Sequence, residues 1–513
     1  MADEAMELFW EDLETDEVHI QDRWQFSLKS EFFPQNGTKP SRNTQEFYLF
    51  IPNSLQINTN TYSNASFYLD QTNLIRYKTP QFSFEQLLDE HNLRSPLNRI
   101  ITLCSQPDNN SRREAFSHEL KLLANVVRST LRREIRLLLS NDGIKNKDFN
   151  KKMLHICSYV QILRERYAIA EQKCLDNWRD PLFYRQMLYI DEFMSYSISH
   201  YFTGLLENIR LVESSEFKTA DETICEILLK EKQLSDLLIK NGKKPVYDGA
   251  EEENVLYRYS LLNKFVLDAL HLTTNRFSLD ERYRHWIGAV SAGVAMMIYF
   301  SFFIWLGNIF VINSAPFVLL TVIFYVLKDR IKEWMKNISY IQASRWFPDY
   351  TTIIRSEEKK RHVGLIKESF SFIEPPQLSQ ELKTMRNAEF HSVLETVVRP
   401  ENILFYKRIV DINTMPVKSR RYGVNVIFRF NIQNFLRKAG NPVETHLMFE
   451  PETKELKSIR LPKVYHLNLI IRSKFTEDGT TLKEELKKLR IVIDKNGIKR
   501  IEQLSHPKEK LAT

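Results

Sequence analysis

Between Trp286 and Leu327 the chain carries no Asp, Glu, Lys, Arg or His. No other feature narrows the fold as much. The run is 42 residues long, and as one helix it would measure roughly 63 Å, about twice the ~30 Å hydrocarbon core of a bilayer. A soluble alternative is a helical hairpin buried in a large core, but core helices seldom run this far without a charge. Two membrane-spanning helices of about 20 residues each are therefore predicted. A turn at Gly307-Asn308 divides the run most evenly, into Ile287–Leu306 and Ile309–Leu327, and is preferred. The other candidate turn is Asn313-Ser314, with Pro316 at a helix-start position.

Arg276, Arg282 and Arg284 precede the run, and Lys328, Arg330, Lys332 and Lys336 follow it. Basic flanks on both sides of a hairpin place both in the cytoplasm. Trp286, Tyr325 and Trp334 stand where an interfacial aromatic belt would lie. Spans with no ionisable group supply no proton relay, voltage sensor or charged ion site, so the hairpin is expected to anchor. Gly288 with Ala292, and Ala289 with Gly293, give a small-xxx-small spacing for close helix packing. The expected partner is the second helix of the hairpin, otherwise a neighbouring copy.

The rest of the chain is long enough for several domains, with 513 residues, 43% of them hydrophobic and 27% charged. A net charge of +7 suits acidic headgroups or an acidic partner and is too small to indicate nucleic acid. Only 13 glycines leave little material for phosphate-wrapping loops, and no P-loop, dinucleotide or nucleophile-elbow motif is found. Cys104, Cys157, Cys174 and Cys225 form no C-x-x-C pair and fall in helical patterns, which predicts buried thiols in a reducing compartment. The acidic N-terminus does not resemble a secretory signal.

The hydrophobic period divides the chain. Residues 1–80 are a small strand-containing region, with "RWQFSLK" alternating and "EFYLFIP" compactly apolar. Residues 81–280 read as a helical cytoplasmic domain, opened by a capping box at Ser83 and Gln86. Its clearest helix carries a stripe of Ile224, Ile227, Leu228, Leu234 and Leu238 behind a Thr219/Glu222 capping box. The transmembrane hairpin, 286–327, is followed over 328–372 by a basic amphipathic helix and linker. From 387 to 505 the period is two, as in Val424, Val426, Phe428, Phe430 and Ile432. That predicts an antiparallel β domain whose other face is open or covered by a partner, and "DKNGIK" places Asn496-Gly497 in a hairpin turn. The strands of both ends could share one β domain.

Chemistry is sparse. "HELKL" at His118 has Leu122 where a zinc helix needs its second His. "NDGIKNKD" from Asn141 lacks calcium-loop order, and the acids of "YDGAEEEN" from Tyr247 read as a helix start. Asp191 and His200 read as satisfied polar residues at a helix seam. Lys121, Arg128, Arg132 and Arg136 fall on one helix face, and are expected to be solvated or to dock on an anionic surface. No catalytic, metal or cofactor residues are assigned.

The fold class expected is therefore an α+β membrane protein: a mainly helical cytoplasmic region, a two-helix transmembrane hairpin and a C-terminal antiparallel β domain. The function expected is a non-catalytic, membrane-tethered binding or scaffold component in a cell membrane, a bacterial inner membrane if the source is prokaryotic, with both termini cytoplasmic. Its partners would be the lipid bilayer and a cytoplasmic protein, without nucleic acid, and self-assembly is left open. A membrane-bound enzyme acting on a lipid or nucleotide is the alternative, and a channel or transporter subunit the second.

Overall fold

A computed structural model describes residues 18–33, 41–106, 110–140, 149–178, 181–211, 217–240, 252–278, 280–311, 314–346, 348–356, 361–387, 401–413, 423–451, 455–477 and 480–504. The 141–148 stretch and all but the last three residues of the 247–254 stretch lie outside them.

In chain order the elements begin with strands β1 (Val18–Asp22), β2 (Gln25–Phe32) and β3 (Ser41–Pro52), helix α1 (Asn64–Asp70) and strand β4 (Gln71–Tyr77). Seven helices follow: α2 (Phe84–Leu88), α3 (Pro96–Cys104), α4 (Asn110–Ser140), α5 (Phe149–Asn177), α6 (Pro181–Leu211), α7 (Lys218–Lys240) and α8 (Glu252–Leu267). Strand β5 (Thr273–Ser278) then leads into the long helices α9 (Asp280–Ile309) and α10 (Ala315–Trp346). After them come β6 (Tyr350–Ser356), β7 (Arg361–Ile373), α11 (Gln380–Asn387), β8 (Glu401–Ile412), β9 (Val424–Asn431) and α12 (Gln433–Leu436). The chain closes with β10 (Val443–Glu450), β11 (Glu455–Pro462), β12 (Tyr465–Glu477), β13 (Thr480–Asp494) and β14 (Gly497–Leu504). The mixture of helix and antiparallel strand agrees with the α+β class.

Two compact units emerge, a helical one built on Ile75–His271 and a β-rich one built on Ile20–Leu74, Leu272–Met415 and Ile427–Thr513. In the helical unit, Leu120, Leu123, Val127, Leu131 and Ile135 of α4 are buried, as are Ile190, Phe193, Met194, Ile198 and Phe202 of α6. This i, i+3/i+4 spacing is what joins two long helices along a seam. The Ser83/Gln86 capping box is formed, each side chain bonded to the other's backbone N–H. Thr219, by contrast, lies inside α7 and not at its N-cap, because the helix begins at Lys218. The buried stripe there is Ala220, Ile224, Ile227 and Glu231, while Leu234 is 37% exposed.

The β-rich unit carries an eight-stranded sheet, ordered β14-β13-β12-β3-β8-β7-β6-β5, and a four-stranded one, ordered β1-β2-β9-β4. Strands from residues 18–77 and 401–504 thus belong to common sheets, with β3 hydrogen-bonded between β12 and β8. Alternation explains the core: Phe47 of β3 stacks on Phe428 of β9 at 5.1 Å, and Phe26 of β2 meets Phe430 at 5.9 Å.

Four expectations need correction. Residues 350–373, read as linker, are two strands; in β7 the mixed charges of "HVGLIKESF" mask an inward alternation of Ile366 and Glu368. Residues 273–278, assigned to the helical domain, are strand β5. The outer face of β12 is not left for a partner: Ile470 is buried with Tyr48, Phe50 and Ile403 under Leu382 and Met385 of α11. Finally, the turn in the apolar run is not at Gly307-Asn308, because α9 continues to Ile309 and the break falls between it and Ala315. Pro316 decides this, since a proline is tolerated in the first turn of a helix but not in the interior of one crossing that point.

Candidate functional site

The candidate site is the α9–α10 hairpin and its neck. Its two ends are the paired strands β5 and β6, with Ser278 opposite Tyr350 and Thr273 opposite Arg355. From there α9 and α10 run antiparallel. Tyr299 meets Tyr325 at 6.1 Å, Phe302 stacks on Phe324 at 4.6 Å and Phe303 meets Phe317 at 5.6 Å. Among the described residues one helix is long and apolar enough to cross a membrane: Gly288–Ile309, 22 residues and mostly exposed. The second helix does not qualify because its apolar part, Ala315–Leu327, is only 13 residues before Lys328. The two-helix transmembrane hairpin of the sequence reading is thus reduced, at this level, to one candidate span with a partner helix.

Ser291, Ala295, Leu306 and Phe317 of the two helices are buried. Gly288 and Gly293 are elsewhere: a Cβ at either would meet nothing within 4 Å. Ala289 and Gly293 are exposed and Ala292 half-buried, so the small-residue face of Gly288, Ala289, Ala292 and Gly293 is not brought against α10. The small pair that is buried is Ser291 and Ala295, also spaced by four.

Below the neck runs a buried polar network. Arg276 of β5 lies 3.4 Å from Glu368 of β7, its guanidinium over the rings of Tyr350 at 4.1 Å and Tyr68 at 4.9 Å. Glu368, 2% exposed, accepts hydrogen bonds from Asn73 Nδ2 and the Tyr406 hydroxyl, both at 2.7 Å. Asn73 Oδ1 in turn accepts from Arg408 Nη1 at 2.8 Å, and the fully buried Arg408 also donates to Gln45 and Ser30. Asp349 accepts from the Tyr68 hydroxyl at 2.9 Å and the Phe370 N–H at 2.7 Å. Burial pushes the Arg408 guanidinium below its ordinary range. It raises the Tyr406 hydroxyl well above its own, with the Glu368 carboxylate adding to the rise. Charged groups and the neutral Asn73 and Tyr406 between them bond one another, which suits holding the neck rigid. The sequence did hold a signal for it. Arg408 stands in phase with Leu404, Tyr406 and Val410 on β8, a charge in an apolar period.

In the helical unit, the cationic stripe on α4 is partly consumed by packing. Lys121 Nζ is 2.5 Å from Asp268 and lies over the Phe265 ring at 4.7 Å. Arg128 Nη1 donates to Asn263 Oδ1 at 2.7 Å. Arg132 and Arg136 are half-buried on the same helix. Asp191 bonds Arg164 at 2.5 Å, and Arg164 also clamps Glu231, tying α5, α6 and α7 together. His200 stacks beside Tyr196 at 6.3 Å. Among the described residues no three His, Cys, Asp or Glu side chains converge as a metal site would require.

Compared with known proteins, the chain matches no protein-family model, no curated protein and no solved structure.

Proposed function

We propose that this chain is a membrane-tethered binding component, anchored by the α9–α10 hairpin. One observation carries the reading: the hairpin shows bulky apolar side chains all round. Met297 is 65% exposed, Ile304 64%, Leu319 62% and Val322 57%. A core helix of a soluble protein buries such a face, and an exposed patch of this extent calls for lipid or a large partner. Because Ser278 and Tyr350 are neighbours, the chain leaves and re-enters the sheet at one place. Whatever the hairpin enters, it returns on the same side. Two crossings with both termini in the cytoplasm of a cell membrane, a bacterial inner membrane in a prokaryote, meet that condition; a hairpin that dips and returns meets it equally.

The binding role rests on the β10–β11 ribbon. Paired alone, it exposes Leu447 (74%), Phe449 (59%) and Leu456 (72%), and the register puts all three on one face near its turn. An isolated two-stranded ribbon is marginal in water, so a protein partner laid over this face would stabilise it. An enzyme acting on a lipid or nucleotide and a channel or transporter subunit stay as the alternatives; turnover or ion conductance by the purified chain would replace the binding role.

The tether is tested by flotation with liposomes in a density gradient. The full chain is expected to float, and the triple variant Ile304→Glu, Leu319→Glu, Val322→Glu to remain at the bottom. A wild-type chain that stays soluble without detergent overturns the reading. The ribbon is tested by cross-linking in native membranes, where a specific adduct should vanish in Leu447→Asp, Phe449→Asp.

A further inference from the structure

We infer that the α9–α10 hairpin is seated in a single leaflet, as an apolar wedge among acyl chains, and does not cross the bilayer. This rests on the tether reading above and specifies its depth.

The axial register of the two helices decides it. With Tyr299 level with Tyr325, the Lys328 ammonium falls beside the middle of α9, 3.9 Å from the Tyr325 ring centroid and 6.0 Å from that of Tyr299. Lys328 also pairs with Asp329 at 3.5 Å, and Arg330 with Glu333 at 3.8 Å. Extending both helices across a ~30 Å core would take about 20 residues from the turn. That would draw Lys328, Asp329, Arg330, Lys332 and Glu333 into hydrocarbon, where charges are strongly disfavoured.

Helix α9 changes character at the same level. Its first part, Gly288–Ala295, is mostly Gly, Ala, Ser and Val, while Met296, Met297, Phe300, Phe303, Ile304, Trp305 and Ile309 follow. The continuous runs of bulky apolar side chains therefore begin on α9 where they end on α10, with only Trp286 and Trp334, among the described residues, exposed as isolated rings on the other side of that level. From Tyr299 to Phe310 the helix rises roughly 17 Å, close to the ~15 Å depth of one leaflet. Tyr299, Tyr325 and Lys328 then form a collar at the headgroups, the setting in which aromatic rings and lysine stems are favoured.

The turn suits a buried tip. The Phe310 N–H bonds the Leu306 carbonyl at 2.9 Å and Ser314 N–H the Val311 carbonyl at 3.1 Å. Val318 N–H bonds the Ser314 carbonyl at 3.0 Å, Ser314 Oγ accepts from Phe317 N–H at 3.4 Å, and Pro316 has no donor. Among the described residues of the turn, these bonds meet part of what backbone in hydrocarbon requires. This seating takes uncharged polar side chains, Asn308 and Ser314 among them, to depth; two crossings would take five charged ones.

The experiment uses the full chain with Cys225→Ser, carrying one added cysteine at Val311→Cys in the tip or Arg330→Cys at the collar. Sealed membrane vesicles of both orientations are treated with a membrane-impermeant maleimide. Arg330→Cys is expected to label from one face only. Val311→Cys should resist the reagent from both faces and label at least tenfold faster once detergent dissolves the membrane. Labelling of Val311→Cys from the face opposite Arg330→Cys overturns the single-leaflet seating and leaves the tether intact. Labelling of both from the same face, or a protein recovered free of the vesicles, overturns the tether itself.

Discussion

Ser278 and Tyr350 face each other across β5 and β6, although the whole of α9 and α10 lies between them in sequence. The hairpin is therefore an insertion in a β-turn position, and the sheet closes without it. Replacing residues 280–347 by a short Asn/Gly-rich turn should leave a folded, detergent-free protein that no longer floats with liposomes. Circular dichroism would report the loss of two long helices with the strand signal kept. Unfolding of the whole chain on excision would show that the hairpin is part of the fold's stability.

Arg408 is enclosed by Gln45, Asn73 and Ser30, and Glu368 by Asn73, Tyr406 and Arg276. Truncating one member of such a network leaves the others desolvated and unmatched. Arg408→Ala should cost about 3–5 kcal/mol in urea unfolding. A loss below about 1 kcal/mol would mean that water replaces the guanidinium there.

Burial raises the Asp191 carboxyl above the usual value; Arg164 draws it down, but burial and the neighbouring carboxylate Glu231 outweigh that pull. With a folded pKa above the unfolded one, this group favours the fold most below the unfolded value, and the benefit fades as pH rises through the folded value. The stability difference between wild type and Asp191→Asn should thus be larger at pH 4 than at pH 7. A difference that shrinks on acidification would reverse the assigned sign.

Gly497 has φ +138°, and a Cβ there would come within 2.0 Å of the Arg23 carbonyl oxygen. The loop joining β13 to β14 is Lys495-Asn496, one residue earlier than the sequence placed it, with Gly497 opening β14 under a hydrogen bond from its N–H to Asp494 at 3.1 Å. Gly497→Ala should lower stability by about 1–3 kcal/mol. An unchanged melting temperature would show that β1–β2 yields at Arg23.

Cys104, Cys157 and Cys174 are buried and Cys225 is half-buried. Burial also pushes the Cys157 thiol up to about 12. Mass spectrometry after brief maleimide treatment should find one adduct in the native protein, at Cys225, and four in denaturant. Rapid labelling at Cys157 would reveal local opening of α5.

The sequence by itself determined which residues go inside and with what period. The α4 and α6 stripes and the alternation of Val424 to Phe430 are local patterns, and each formed the element its period implies, while the charge-free run from Trp286 to Leu327 formed two helices with one candidate span. The capping box at Ser83 was equally local. Only the tertiary structure decided what those elements meet. That β3 lies between β12 and β8 depends on pairing between residues hundreds of positions apart, which no window of sequence contains. That Arg408 and Glu368 belong to one network depends on Ser30, Gln45 and Asn73, more than 290 positions earlier, converging on them. The axial register of the hairpin has the same origin. Hydropathy counts apolar residues along one helix, but the level of Lys328 against Tyr299 is set by how two helices pack side by side.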